Sequence, residues 1–117
     1  MKIGTDIIRI ERITKLIEKY GDIFKHKYLS TEEIAMVQRV ETYAGLWAAK
    51  EAISKALGCG ICSELSFHDI VLSKNNRGAP SFTLAKNAQK IHQITNSSLS
   101  ISHDGGFAIA VVAITTA

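Results

Sequence analysis

Glu51 and Lys55 stand one helical turn apart in the alanine-rich stretch from Trp47 to Gly58. With 3.6 residues per turn, Trp47, Glu51 and Lys55 share one face of the predicted helix. Apolar residues form a stripe on another face, namely Leu46, Ala49, Ile53, Ala56 and Leu57. A carboxylate and an ammonium group held together suit a site that handles phosphate. Spacing alone also allows an ordinary surface ion pair, which contributes about 0.2–0.5 kcal/mol.

Other polar residues near the two ends of the chain are candidates for the same chemistry. Asp6 follows Gly4-Thr5, and the sequence Ser100-Ile101-Ser102-His103-Asp104 precedes two glycines. Taken alone, Asp6 could be a helix N-cap and His103 a structural histidine of a hairpin. The functions of these residues therefore depend on which other motifs the chain contains.

Five segments of the chain resemble, in family order, the holo-acyl-carrier-protein synthases, which are the short 4′-phosphopantetheinyl transferases. The core pattern is Lys-Glu-Ala-x-x-Lys-Ala-x-Gly, preceded by an early Gly-x-Asp and followed by a late Ser-x-Ser-His. The segments cover residues 4–7, 47–60, 67–70, 76–80 and 100–103. The resemblance implies transfer of phosphopantetheine from coenzyme A to a serine of an acyl carrier protein, in support of fatty acid synthesis.

The resemblance also implies a Mg²⁺-dependent catalytic site built from Asp6, Glu51 and Lys55. Asp6 and Glu51 match the family's metal carboxylates, and Mg²⁺ favours such hard oxygen ligands. Lys55 matches the lysine that contacts the transferring phosphate of coenzyme A. The proton acceptor for the serine stays open among Asp6, Glu51 and a metal-bound water, and we favour a water held by the metal and Asp6.

A second set of residues is expected to bind coenzyme A. Ser102 and His103 fall at the family's coenzyme A motif, where they would contact a nucleotide phosphate. Gly78 and Pro80 lie in a loop expected to pack near the adenine, although it could equally be a simple hairpin loop. One departure stands out, because Leu46 occupies a position where the family often has arginine. A basic contact to the nucleotide is then missing or supplied elsewhere.

The partners implied by the resemblance are an acidic acyl carrier protein and other copies of this chain. Arg12, Lys15 and Lys19 project to one side of the first predicted helix and would receive the carrier protein, although such charges often only solubilise a helix. Longer transferases carry their Ser-His motif and their Lys-Glu-Ala helix in opposite halves. By analogy, this chain is expected to form a homotrimer whose sites lie between subunits.

Composition agrees with one folded domain over residues 1–117. The sequence is 46% hydrophobic and 21% charged, with a formal net charge of +3 that favours acidic partners. The first residues mix charges with isoleucines and match neither a signal peptide nor a membrane span, so we expect a cytoplasmic protein with no membrane partner. Cys59 and Cys62 follow a helix C-terminus, which disfavours a reactive thiolate.

Periodicity predicts an α+β fold in which helices pack on one side of a small antiparallel sheet. We expect a strand over residues 2–6 that brings Asp6 to a strand-to-helix junction, a helix up to Gly21, and a helix from the capping box at Ser30 to about Arg39. The remaining predictions are a helix over 42–57, strands over 65–73 and 81–84, a helix over 85–94, and a hairpin of 98–103 with 107–115.

Three other functions remain possible at this point. A noncatalytic coenzyme A-binding relative would keep the nucleotide residues without turnover. A small basic nucleic-acid-binding module fits the size and charge, but no nucleic-acid motif or basic-aromatic strand pattern is present, so we expect no nucleic-acid partner. A structural trimerising domain would leave the ordered set of Asp6, Glu51, Lys55 and His103 to chance.

Overall fold

Five strands, five α-helices and a short 3-10 helix build the chain, and the computed structural model describes all residues from 1 to 117. In chain order the strands and α-helices are β1 (Lys2–Arg9), α1 (Ile10–Tyr20), α2 (Asp22–Tyr28), α3 (Thr31–Ala35), α4 (Val40–Ala56), β2 (Ile70–Lys74), β3 (Pro80–Leu84), α5 (Lys86–His92), β4 (Ile94–Asp104) and β5 (Phe107–Thr116). The strands form an antiparallel sheet of order β1-β5-β4 and a separate β2-β3 hairpin. The predicted α+β class is confirmed, although its strands divide between two sheets.

The β4-β5 hairpin is the longest pairing in the fold. Gly105 and Gly106 form its two-residue turn, both with positive φ, of 57° and 85°. Turns of this kind match the right-handed twist of the paired strands and favour glycine. Pairing of the two strands continues back to Ile94, so β4 begins earlier in the chain than the predicted residue 98.

Helix α4 crosses the three-stranded sheet from β4 to β1. A Cβ added to Gly45 would lie 2.8 Å from Cγ2 of Ile101 in β4. A Cβ added to Gly4 in β1 would overlap the backbone of α4 at Ala52 and Ala56. Glycine at these two positions thus permits close approach of the helix to the sheet. The C-terminal half of α4, which carries Glu51 and Lys55, consequently lies against β1.

A buried ion pair fixes α4 against the elements on its other side. Lys50 is fully buried, and its Nζ donates to Glu33 Oε1 at 2.9 Å, to the carbonyl of Tyr28 at 2.7 Å and to the carbonyl of Phe67 at 3.0 Å. Glu33 also accepts hydrogen bonds from the backbone N–H groups of Ser30 and Leu72, both at 2.8 Å. All three donor positions of the ammonium group are used, as burial of a charge requires.

Several predicted boundaries are wrong for identifiable reasons. Strand β1 continues to Arg9 because β5 offers pairing partners up to Phe107, so Asp6 lies within the strand and is not an N-cap. The capping box at Ser30 is confirmed, but α3 ends at Ala35 instead of Arg39, because the chain must reach the start of α4 at Val40.

The segment predicted as one strand from residue 65 to residue 73 begins with a different element. Ser66 and Asp69 form a second capping box, and this box starts a 3-10 helix over Phe67–Asp69 before β2. Helix α2 was not predicted, and α5 is shorter at both ends than the range 85–94.

No helix in the structure is both long and apolar enough to cross a membrane.

Candidate active site

Asp6 and Lys55 meet where α4 lies against β1. Lys55 Nζ donates to Asp6 Oδ1 at 2.8 Å and to the backbone carbonyl of Thr5 at 3.3 Å. The Asp6 side chain is 14% exposed, whereas that of Lys55 is 53% exposed. The local ion pair between Glu51 and Lys55 is therefore not formed, because the sheet presents a nonlocal carboxylate to the lysine.

Glu51 lies next to this pair and has no salt-bridge or hydrogen-bond partner for its carboxylate. Partial burial raises the pKa of Glu51, and the nearby negative charge of Asp6 raises that pKa further, while Lys55 and Arg12 partly offset the effect. The structure thus brings Asp6, Glu51 and Lys55 together, as the family resemblance implied. Two carboxylates that repel each other at one site are poised for a cation.

The donor set fits a hard divalent cation such as Mg²⁺. Asp6 and Glu51 offer carboxylate oxygens, and no cluster of three or more histidine, cysteine, aspartate or glutamate side chains surrounds them. Mg²⁺ characteristically uses one or two protein carboxylates and completes its octahedron with substrate phosphates and water. A zinc-type site would require more protein ligands than these two residues supply.

His103 lies in a different part of the molecule, near the start of α4. It lines a cavity of about 200 Å³ together with Gly78 and Pro80, and their role in binding a nucleotide stays a prediction. Two cations that the sequence analysis did not single out, Arg39 and Lys74, line the same cavity. A second, more open cleft of about 800 Å³ adjoins His103 and Arg39 and includes the β4-β5 turn.

Ser102 does not join His103 in this cavity, because neighbouring residues of a strand point to opposite faces of the sheet. Ser102 pairs with Ile109, which pairs with Ile7, and this row lies on the face of the sheet away from α4. The role of Ser102 in binding coenzyme A stays a prediction. Any such contact must form on the outer face of the sheet.

The two sets of candidate residues are separated within one chain. Asp6 and His103 lie on the outer strands of the three-stranded sheet and are offset by two positions along it. Strand spacing and rise place their backbones about 12 Å apart. None of the cavities that His103 lines includes Asp6, Glu51 or Lys55.

The basic residues predicted to bind a carrier protein lie in different environments along α1. The Arg12 guanidinium lies 6.0 Å from the centre of the Trp47 ring, Lys15 forms an exposed ion pair with Glu11, and Lys19 lies over the ring of Tyr20. Arg12 also borders an apolar groove that the sequence analysis missed. This α1-α2 groove, of about 410 Å³, is lined by Arg12, Leu16, Tyr20, Ile23, Phe24, Lys27 and Trp47.

A sequence signal for the groove existed in retrospect. Tyr20, Ile23 and Phe24 lie close in sequence around Gly21, and the turn at this glycine separates α1 from α2. The first predicted helix ended at Gly21, and no helix or strand was predicted for the apolar residues that follow it. Because α2 has only seven residues, its periodicity was too short to be recognised.

The two cysteines do not form a reactive centre. Both are free, and Cys59 follows the end of α4. Burial raises the pKa of the Cys59 thiol, and the neighbouring Cys62 side chain raises it further. Cys59 thus favours the neutral thiol, which is a poor nucleophile and metal ligand.

Comparison with known proteins identifies the family. Residues 2–112 match the 4′-phosphopantetheinyl transferase superfamily. The chain is 65% identical to the holo-[acyl-carrier-protein] synthase of a Sulfurovum species, over 97% of this chain and 96% of that protein. It is 53% identical to the synthase of Campylobacter jejuni subsp. doylei, over 97% of this chain and 99% of the relative.

Solved structures agree with this assignment. The holo-[acyl-carrier-protein] synthase of Helicobacter pylori in complex with coenzyme A superimposes with a TM-score of 0.93 at 46% identity, covering 97% of this chain and 99% of that one. The synthase of Neisseria meningitidis gives a TM-score of 0.89 at 32% identity and 98% coverage of both chains. With matches over nearly its whole length in both sequence and structure, the chain belongs to the 4′-phosphopantetheinyl transferase superfamily.

Proposed function

We propose that the protein is a holo-[acyl-carrier-protein] synthase, which transfers the 4′-phosphopantetheine group of coenzyme A to a serine of an apo-acyl carrier protein. The observation that carries the proposal is the cluster of Asp6, Glu51 and Lys55 in a chain 65% identical to such a synthase over almost its full length. The family match is to transferases, so a nucleic-acid-binding module is not favoured.

The reaction makes two demands on the site. The serine Oγ forms a bond to the β-phosphorus of coenzyme A, and the bond from that phosphorus to the bridging oxygen breaks. The electron pair leaves with adenosine 3′,5′-bisphosphate, and the serine proton passes to a base. The site must therefore neutralise the pyrophosphate and accept a proton.

The residues of the cluster supply complementary parts of this chemistry. Lys55 is half exposed, and its Nζ can exchange the Asp6 oxygen for a phosphate oxygen on which charge develops. In the metal-free protein, burial and the charge of Asp6 raise the pKa of Glu51, so its carboxylate gains from a neighbouring cation. We assign Asp6 and Glu51 as the residues that would hold Mg²⁺, which when bound neutralises pyrophosphate charge.

Coenzyme A is the donor that this arrangement supports best. The Helicobacter pylori relative of this chain was solved in complex with coenzyme A. In this chain, the cavity lined by Gly78, Pro80 and His103 has apolar and cationic surfaces that suit a nucleotide. We place the nucleotide there and the pyrophosphate at the Asp6 cluster.

The acyl carrier protein is proposed to dock on the α1-α2 groove. Ile23 is 80% exposed in this groove, and Arg12 and Lys27 lie at its border. An apolar floor beside cations suits an acidic partner that presents an apolar side chain. Arg12 is also close enough to Glu51 to influence its pKa, so a carrier docked here lies beside the catalytic cluster.

A homotrimer with sites between subunits is proposed as the working assembly. Its support is the separation of the Asp6 cluster from the His103 cavity, together with an uncovered apolar face on the three-stranded sheet. This outer sheet face includes Ile3, Ile7, Ile109 and Val111, which are between 37% and 68% exposed. Burial of such a face in a subunit interface would remove apolar surface from water.

Intact mass spectrometry of an apo-acyl carrier protein tests the activity. The carrier is incubated with this protein, coenzyme A and Mg²⁺, and we expect the addition of one phosphopantetheine group. A chelator and a carrier whose acceptor serine is replaced by alanine serve as controls, and both should abolish the addition. Binding of coenzyme A without any addition to several folded carriers would instead identify a noncatalytic relative.

A further inference from the structure

A buried carboxylate contacts two of the elements that border the proposed nucleotide cavity. Glu33 is only 2% exposed, and its two oxygens accept hydrogen bonds from different parts of the fold. Oε1 accepts from Nζ of Lys50 in α4 at 2.9 Å, and Oε2 accepts from the backbone N–H of Leu72 in β2 at 2.8 Å. One side chain therefore joins α4 to the β2-β3 hairpin.

This link lies next to two walls of the cavity. Leu46 lines the cavity from α4, and Lys50 follows it by one helical turn on the same face of the helix. Lys74 lines the cavity from the end of β2, and Leu72 precedes it by two residues on the same face of the strand. The contacts of Glu33 thus hold the helix wall and the hairpin wall at a fixed separation.

The hairpin has no comparable connection elsewhere. Its two strands form a sheet of their own, and the hydrogen bond from Leu72 to Glu33 is the only one that joins either strand to the rest of the chain. Apart from this bond, the two strands are held by apolar packing of Ile70, Leu72 and Phe82, which is not directional. The position of the hairpin relative to α4 consequently depends on one carboxylate.

We propose that Glu33 is a positioning residue that sets the width of the nucleotide cavity by tying the β2-β3 hairpin to α4. Glu33 itself lines none of the described cavities, so it acts through Lys50 and Leu72 and not on a ligand. Both partners are hydrogen-bond donors, and the role therefore requires a side chain with two acceptor oxygens. The inference rests on the proposed transferase function.

Glu33→Gln tests the link with almost no change in side-chain size. The amide has one acceptor oxygen, so it can accept from Lys50 or from Leu72 but not from both. We expect the KM for coenzyme A to rise by about three- to tenfold and kcat to change less. The KM for the carrier should stay unchanged, because the α1-α2 groove contains no residue of the hairpin.

Two further variants separate position from stability. Ser30→Ala removes the hydroxyl that caps the N–H of Glu33, which weakens α3 but keeps the carboxylate contacts, so the KM for coenzyme A should not change. Lys50→Met combined with Glu33→Gln removes both buried charges, which costs much less stability than removing one. The link to α4 is still absent in this double variant, and its KM for coenzyme A should stay high. Urea denaturation measures the stability of each variant.

Calorimetric titration with adenosine 3′,5′-bisphosphate gives a readout independent of turnover. Its affinity should fall in Glu33→Gln and in the double variant, and it should equal the wild-type value in Ser30→Ala. Wild-type affinity in the double variant, or an equal loss in Ser30→Ala, would overturn the inference. A wild type that binds the bisphosphate but modifies no carrier contradicts the proposed function alone, since the affinities still report on the link.

Discussion

Lys55 neutralises Asp6 but leaves Glu51 without an ion-pair partner, and this imbalance defines the chemistry of the site. A second lysine beside Glu51 would hold both carboxylates in salt bridges and would compete with a metal ion. With a single lysine, the cluster keeps one carboxylate available for a divalent cation. A bound phosphate would also give Lys55 an alternative partner and would free Asp6 to hold the proposed Mg²⁺.

Removal of the lysine should therefore affect the chemical step more than binding. For Lys55→Ala we expect kcat to fall by about 10²–10³-fold, which is typical for the loss of one group that stabilises developing charge. The KM for coenzyme A should change less. Carrier modification followed by mass spectrometry measures both parameters, and turnover equal to that of the wild type would show that the assigned role is wrong.

Glu51 should titrate at a higher pH than an ordinary glutamate, whose pKa is 4.5. Burial is the first cause and Asp6 the second, so Asp6→Asn should lower the pKa of Glu51 towards 4.5. Carbon-13 NMR of the side-chain carboxyl groups in metal-free protein measures both values. Because only the ionised carboxylate binds a cation, affinity for Mg²⁺ should fall as the pH decreases through this raised pKa. A wild-type pKa at or below 4.5 would contradict the account.

At the level of helices and strands, the buried pair of Lys50 and Glu33 holds α4 against its neighbours. Burial lowers the pKa of Lys50, and the carboxylate of Glu33 partly counteracts this effect. The pair connects α4 to α3, to the end of α2 and, through Leu72, to β2. The helix that carries Glu51 is thereby held in one orientation toward β1.

Breaking the buried pair from one side should be costly. We expect Lys50→Met to lower the free energy of unfolding by about 3–5 kcal/mol, because the Glu33 carboxylate stays buried without its cation. Adding Glu33→Gln to this variant should restore part of the loss by removing the unpaired charge. Urea denaturation measures both changes, and Lys15→Met, which breaks only an exposed ion pair, is the matched control with little expected effect. A loss as small as that of the control would show that the pair does not stabilise α4.

The α1-α2 groove gives a prediction about the carrier protein. Ile23→Ser should raise the KM for the carrier by about tenfold, since full burial of an isoleucine contributes about 1.5–3 kcal/mol. The KM for coenzyme A should stay unchanged. Ile91→Ser makes the same substitution at an exposed isoleucine of α5 and is the control. Equal KM values for the carrier in both variants would place its docking surface elsewhere.

Local sequence patterns predicted those features whose determinants are close in the chain. The end of α1 at Gly21, the capping box of Ser30 with Glu33, and the turn at Gly105 and Gly106 all depend on residues within four positions of one another. The family resemblance then brought Asp6 into the same site as Glu51 and Lys55.

Nonlocal contacts were not accessible in the same way. The partner of Lys55 is 49 positions away and that of Lys50 is 17 positions away, so helical spacing suggested the wrong neighbour for Lys55 and none for Lys50. Arg39 and Lys74 line one cavity only because the β2-β3 hairpin lies near the start of α4. Such pairs require the tertiary arrangement, which periodicity does not encode.

At the scale of the whole molecule, the outer sheet face is the surface through which the proposed trimer would build a site for a long substrate from chains of 117 residues. Ile7, Ile109 and Ser102 form one row across this face. If a neighbouring subunit covers the row, its own residues come close to Ser102, and the Asp6 cluster of one copy can approach the His103 cavity of another. Self-association and catalysis would then depend on the same surface.

Two inactive variants should restore activity when they share an assembly. In the proposed trimer, each site combines Glu51 of one subunit with His103 of a neighbouring subunit. A site in a mixed trimer is therefore complete when its Glu51 comes from a His103→Ala chain and its His103 comes from a Glu51→Gln chain. Random exchange at equal concentrations produces this combination at about a quarter of the sites. We therefore expect mixing to recover about a quarter of the wild-type kcat/KM for coenzyme A, whereas each variant alone stays near background. Native mass spectrometry verifies exchange, and mixed trimers without recovered activity would show that each chain carries a complete site.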